Sequence, residues 1–317
     1  MLKRFLNQKG AADPSTAAPE EPVREPPRPV TALDRTIMTI SCQDCDPIPK
    51  VADAGRIVAT DAGPVQIMHN GVRVKAGGYY GDWMAQVIRG LRGHHEPQEE
   101  LLFHALMPFV RHGTLMVELG AFWSYYSLWY LHEIPGSRTI GVEPDPAHLE
   151  VGRFNAGLNG VAHRMGFHRA WVGGDGSREI SAVCESDGQA HVLPCVDMNG
   201  VLALAGGGEV EMLHIDAQGA ELPFIRSMEA AGAARRVRFV VASTHHESIS
   251  GSPSTHHDCV AELERLGAHV LCEHGVGESF SGDGLIVASF LPEDRRIRLP
   301  EIARNQPHLS LFPPRSD

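Results

Sequence analysis

From Thr114 onward, short apolar segments alternate with stretches of helical periodicity, and this alternation limits the chain more than any other feature. The apolar segments are TLMVEL (114–119), TIGVE (139–143), GFHRAWV (166–172), EMLHID (211–216), VRFVVAS (237–243), HVLCEH (269–274) and LIVASF (285–290). Helices are expected between most of them, at 125–133, 146–158, 198–205, 220–230 and 254–266. Continuous apolar runs joined by helices predict a mostly parallel seven-stranded sheet with helices on both faces. The link SFSGDG before the last segment is too short for a crossover helix, so that strand is expected antiparallel. A hairpin-like insert, REISAVCESDGQAHVLPCV, follows the third strand.

The segment before this alternation has a different character. Residues 11–30 are rich in Pro, Ala and Glu, which bury too little apolar surface to fold; a disordered tail over 1–35 is expected. VQIM (65–68) and VRVK (72–75) flank Asn70-Gly71, a strong hairpin signal. Asp82 can cap a helix to about Leu91, and a second helix is expected from Pro97 to before Gly113. Residues 36–112 are therefore read as an N-terminal cap or lid, 113–292 as the α/β domain, and 293–317 as a C-terminal tail. A net charge of −11 without a basic stripe argues against nucleic acid. No apolar run is long enough to span a membrane, and MLKRFLNQKG lacks the apolar core of a signal peptide. Six cysteines in 317 residues do not form a disulfide scaffold, so a cytoplasmic protein is expected.

In open α/β sheets, ligands bind beyond the carboxyl ends of the strands, where the winding reverses. The first strand ends in Glu118-Leu119-Gly120-Ala121, with a helix beginning near Ser124. A glycine turn there admits a ligand to the backbone, and the helix start offers free N–H groups. Glu143 lies 23 residues beyond Gly120, placed to accept hydrogen bonds from both hydroxyls of a ribose. Asp145 then caps a helix that has Pro146 at its first position. A dinucleotide needs a second glycine in the first turn, where this chain has Phe122. S-adenosylmethionine (SAM) has no phosphate and carries a sulfonium and an ammonium, charges that suit Glu118.

Three segments carry a family resemblance. VELGAFWSYYS, GVEPDPAHLEVGRFNAGLN and LHIDAQGAEL resemble motifs of the FkbM-type methyltransferases over residues 95–290. In the third, Asp216, Gly219 and Glu221 keep the family pattern, while His214 stands where a lysine is usual. Phe122 and Ser124 replace the usual Asn and Gly of the first turn. The resemblance implies a Rossmann-like class I fold and a SAM-dependent O-methyltransferase acting on a hydroxyl of a sugar, glycolipid or polyketide-like small molecule. Its implied cofactor set is Glu118, Gly120, Ala121, Ser124, Glu143, Pro144, Asp145, Ala170, Trp171 and Asp216. A homo-oligomer is compatible with such a chain. Two other readings remain open: a non-catalytic SAM-binding or scaffold protein, and a nicotinamide-dependent oxidoreductase, which Phe122 disfavours.

Methyl transfer to oxygen requires a group to take the hydroxyl proton. There are eighteen histidines, with doublets at 94–95, 245–246 and 256–257. His245 and His246 follow the fifth strand, and alternation allows only one of them to face the pocket. His245 is the first choice as base and His246 the second. His256 sits on the inward stripe of its helix and is expected to converge with them and Asp216, as base or metal ligand. Magnesium would draw on Asp216 with Glu247 or Asp258; zinc would draw on Asp216, His245 and His256. Glu221 is expected in a first helical turn, and Asp197 as an N-cap. His94, His95 and Glu96 are read as a lid over the cofactor, and Cys42-x-x-Cys45 as an unremarkable pair.

Overall fold

The computed structural model describes residues 30–174 and 176–312. The expected tail lies outside the described residues as far as residue 29. A helix, α1, then starts at Ala32 and runs to Ser41. It is closed by a capping box in which Thr31 and Asp34 bond reciprocally to each other's backbone N–H. The antiparallel strands β1 (Ile57–Thr60), β2 (Gly63–Ile67) and β3 (Arg73–Lys75) follow, with β2 and β3 paired around Asn70-Gly71. Helices α2 (Asp82–Gly90) and α3 (Pro97–Leu106) complete this segment.

The α/β part runs β4 (Leu115–Leu119), α4 (Tyr125–Glu133), β5 (Arg138–Val142), α5 (Pro146–Leu158) and β6 (Met165–His168). A short strand β7 (Trp171–Val172) and the hairpin β8 (Glu179–Val183) and β9 (Ala190–Val196) form a separate small sheet. Then come α6 (Met198–Leu204), β10 (Val210–Ile215), α7 (Glu221–Ala230), β11 (Val237–Thr244), α8 (Glu247–Ser250), α9 (Thr255–Arg265), β12 (His269–His274) and β13 (Gly284–Ser289). The main sheet has the order β12-β13-β11-β10-β4-β5-β6, parallel except for β13, which pairs antiparallel with both β11 and β12. This is the expected Rossmann-like α/β fold with its last strand antiparallel. The segment expected as one strand over 166–172 is broken at Arg169-Ala170, because Trp171 and Val172 pair with β9.

Strand alternation divides the interior into two cores. Leu119, Leu213, Ile215, Val240, Ala242 and Ile286 pack with α6, α7 and α9 on one face. Met116, Met212, Phe239, Val241, Leu285 and Val287 pack on the other with α2, α3 and α4. The chain winds from β4 out to β6, then returns to β10 beside β4. The winding direction therefore reverses between β4 and β10, and a cleft opens there at their carboxyl ends.

Candidate functional site

A cavity of about 580 Å³ occupies this reversal point. Its floor is the turn after β4. Gly120 holds φ +80°, and a Cβ at that position would lie 1.7 Å from the Asp216 carbonyl oxygen. The β4 and β10 ends therefore touch, and only glycine fits between them. Phe122 and Ser124 also take positive φ, +36° and +60°. Phe122 lies flat on His148 with ring centres 3.4 Å apart.

Glu143 lines the cavity as an anchored carboxylate. It accepts from the Phe122 and Asp145 N–H groups, each at 2.9 Å, one on each oxygen. Each oxygen retains lone-pair capacity for a ligand. Asp145 caps α5 through the Ala147 N–H and also accepts from the Ser186 N–H and hydroxyl, tying in the β8–β9 hairpin. Burial raises its pKa, but the Ser186 hydrogen bonds outweigh that and hold it below the usual value. Glu118 is buried against the start of α4, where it accepts from the Ser127 N–H at 3.2 Å; burial pushes its pKa up to about 7. Ala121, Pro144, Trp171 and Asp216 also line the cavity.

Across the cavity, Asp216 begins a tight loop that Glu221 organises. The fully buried Glu221 carboxylate accepts from the Ala217 and Gly219 N–H groups and meets His245 Nδ1 at 2.9 Å. Its place in the first turn of α7 is thus fixed by specific bonds rather than by the helix dipole alone. His245 Nε2 lies 3.2 Å from Asp216 Oδ1 and 3.7 Å from Asp283 Oδ1. Burial would push this imidazole down, but Asp283, Asp216 and Glu221 outweigh it and hold its pKa well above the ordinary value. Burial pushes Asp283 up to about 7, against the pull of His245.

The N-terminal segment supplies the remaining wall. Tyr79, Tyr80, His95 and Glu96 line the cavity, with Tyr79 stacked on Trp123 at 4.6 Å. His95 is paired to Glu100 at 2.7 Å and Glu96 at 3.3 Å; burial opposes its charge, but the two carboxylates raise its pKa to about 10. His94 does not belong to this wall. It is fully buried behind it, bonded to Glu100. His214, beside Glu118 in register, meets Glu99 at 2.6 Å, and Ser243 donates to the other Glu99 oxygen.

Several sequence-derived candidates lie elsewhere. His246 is on the surface, where its ring accepts from the Ser248 N–H as the N-cap of α8 and stacks on Phe312. His256 bonds to Thr244 at 2.8 Å and Glu273 at 3.0 Å. Thr244, the last residue of β11, meets His256, whereas His245, one residue past the strand, meets Asp216, so the structure does not bring His256 to Asp216. Ser124 and Ala170 are buried and are not among the cavity-lining residues. Asp197 caps α6 through the Gly200 N–H, and Asp258 is bonded to the Ser254 hydroxyl. Among the described residues, the one grouping of three metal-ligand side chains is His69, His94 and Glu100, which contains none of the expected ligands Asp216, His245 and His256. Cys42 and Cys45 are buried thiols pushed up to about 12 by burial.

Sequence reasoning missed Tyr79, Tyr80, His148 and Asp283. The only signal for the tyrosines was an aromatic pair inside the glycine-rich GGYYG.

No protein-family model matches the chain, and no curated protein matches it. Among the described residues, no helix is long and apolar enough to cross a membrane. Similar solved structures include an O-methyltransferase from Bacillus cereus in complex with SAH, 14% identical, covering 61% of this chain and 80% of that one, with a TM-score of 0.38. The O-methyltransferase TomG from Streptomyces achromogenes, involved in tomaymycin synthesis and solved with SAM, is 18% identical over 61% and 79%, with a TM-score of 0.38. The human methyltransferase 10 domain containing protein is 13% identical over 62% and 83%, with a TM-score of 0.39. Likeness at this level says nothing of substrate, and the fold assignment rests on the strand order of the sheet itself.

Proposed function

We propose that this chain is a class I SAM-dependent O-methyltransferase of the FkbM type, acting on a hydroxyl of a small-molecule or glycan acceptor. The observation that carries the reading is the cavity at the winding reversal, where Glu118, Glu143 and Asp216 surround the Gly120 turn. The residues present suit a cationic nucleoside. Glu143 is pre-oriented by two backbone donors toward ribose hydroxyls, and Glu118 faces the cavity where an ammonium can sit. Phe122 fills the place where a dinucleotide fold needs a glycine, which disfavours a pyrophosphate.

When bound, SAM supplies a methyl group on a positively charged sulfur and departs as a neutral thioether. Glu118 and Glu143 would hold the cofactor, and Asp216 would take the proton of an acceptor hydroxyl seated in the cavity. Asp216 suits this role because its side chain is about one-third exposed and lines the cavity. His245 is a positioning residue. Both its ring nitrogens face carboxylates, so it stays protonated and holds Asp216 in place.

Calorimetry of the full chain tests this reading. SAM and its demethylated product SAH should bind, and Glu143→Ala should weaken both about tenfold or more, the loss of a charge-assisted pair of hydrogen bonds. Binding of NAD without SAM overturns it.

A further inference from the structure

The cavity is charged beyond what a cationic cofactor requires. Glu118 and Glu143 answer the cofactor, yet Glu96, Glu185 and Asp216 also line the cavity, and Asp283 lies beside His245 at its edge. Among the cavity-lining residues there is no lysine and no arginine. Three histidines with raised pKa stand at or beside this group: His95 and His214 in the lining, and His245 next to Asp216; His214 is shared with Glu99. His95 is shared with Glu100, and His245 with Glu221. Negative charge therefore remains in excess on the side away from the Gly120 turn.

The cavity is also lined by two aromatic side chains, Tyr79 and Tyr80. Burial raises the pKa of both hydroxyls, and nearby carboxylates add to it: Glu185, Asp216 and Asp283 at Tyr80, and Glu96, Asp216 and Asp283 at Tyr79. The two tyrosine rings are 4.7 Å apart, and both are partly exposed. Gln218 donates to the Tyr80 oxygen at 3.1 Å and fixes that ring. Tyr80 also holds φ +47°, a left-handed conformation that is strained for a non-glycine residue. Aromatic rings that share a cavity with carboxylates attract an organic cation through the ring quadrupole and through Coulomb attraction, and the carboxylates repel an anion. Strain of this kind persists only where surrounding structure fixes it, here in the residue that carries one of these rings.

We propose that the acceptor carries a protonated amine beside the hydroxyl to be methylated, seated on Tyr79 and Tyr80 among Glu96, Glu185 and Asp216. Phosphorylated and carboxylated acceptors are excluded by the same charges. The proposal rests on the methyl-transfer reading for the identity of the site and adds the class of the acceptor.

The test uses three probes of similar shape titrated into the SAH-saturated full chain. They are benzyltrimethylammonium, the neutral 2-methyl-1-phenyl-2-propanol, and benzylphosphonate. The cation should bind at least ten times more tightly than the neutral probe, and benzylphosphonate should not bind. Tyr80→Leu and Glu96→Gln should each weaken the cation several-fold while leaving SAH affinity unchanged; the two variants alter different elements, so loss of one to misfolding leaves the other. Equal binding of the neutral probe, binding of the phosphonate, or indifference of the cation to both variants overturns the proposal. A chain that takes up neither SAM nor SAH defeats the methyl-transfer reading instead. The same titrations on the free cavity then still decide its preference for a cation.

Discussion

At matching heights in the main sheet, one face carries Leu119, Leu213, Ile215 and Ala242, while the other carries Glu118, His214 and Ser243, with His245 one residue past the end of β11. The first face meets apolar stripes of α6, α7 and α9 and needs nothing further. The second meets α3, which brings Glu99 to His214 and Ser243, and the N-terminal segment, which brings His95 and Glu96. The same alternation of side chains thus builds a stability surface on one side and a ribbon of paired charges on the other. Buried charges are tolerated only when paired, so the polar face depends on its partners in a way the apolar face does not.

The sharpest way to break this comparison is at the point where both faces meet the turn. Gly120→Val should prevent folding, because its Cβ would sit 1.7 Å from a backbone carbonyl that belongs to the next strand of the core. No flexible side chain can yield there, and a loss above about 4 kcal/mol is expected. Circular dichroism and a melting curve read it. A folded variant with near-native Tm would show that β4 and β10 can separate without cost.

The next effect is confined to the polar face. His245→Gln leaves Glu221 and Asp216 facing a neutral group and should cost on the order of 3 kcal/mol. The sign of the pH dependence is set by the raised pKa of this histidine. Its contribution is complete below the unfolded value near 6.5 and is lost as pH rises through the higher folded value. Native Tm should therefore fall as pH is raised above about 6.5, and His245→Gln should flatten that fall. An unchanged slope would mean His245 is neutral in the folded chain and free to act as a base.

How much of this was legible follows from the range of each signal. Strand and helix identity is local. Helices over 125–133 and 146–158 were readable to the residue, because Pro146 and the apolar spacing are written within a few positions. Helix α1 was missed although Thr31 and Asp34 spell its capping box, because the Pro-rich stretch before it set the expectation for the whole region. That Gly120 and Glu143 meet at the cavity was readable because both answer to a fixed turn geometry. The acceptor side was not. Which nitrogen of His245 is occupied depends on Asp216 just after β10, Glu221 at the start of α7 and Asp283 before β13, of which only the first two lie close together in the chain. His256 was misplaced for a related reason: a helical stripe shows that a residue points inward, but not toward which face of the sheet.

Catalysis separates the roles within the polar ribbon more finely than stability does. Asp216→Asn keeps an oxygen for His245 and nearly the same shape, but removes the proton acceptor. Methyl transfer should fall about a hundredfold or more, with SAH affinity unchanged. Full turnover by this variant on a confirmed acceptor would move the base to another group, and Asp283, pushed up to about 7 by burial, would be the next to test.

The smallest effect belongs to the histidine beside the site. His246 differs from His245 by one position along the chain, yet His245 is buried among carboxylates while His246 is a half-buried cap at the start of α8. Its ring accepts the Ser248 N–H at 3.2 Å and stacks on Phe312, both at the surface. Loss of a cap on a four-residue helix is worth about 0.5 kcal/mol, and of the cavity-lining residues only Ile249 lies on that helix. His246→Ala should therefore leave turnover and SAH affinity at native levels and lower Tm by a degree or two at most, about 0.5 kcal/mol spread over a chain of this size. The measurement is a side-by-side kinetic comparison with His245→Gln. A loss of activity in His246→Ala equal to that in its neighbour would show that the loop after β11 rearranges to bring the second histidine inward. The division of labour between the two sheet faces would then end at Thr244 rather than extend into the loop.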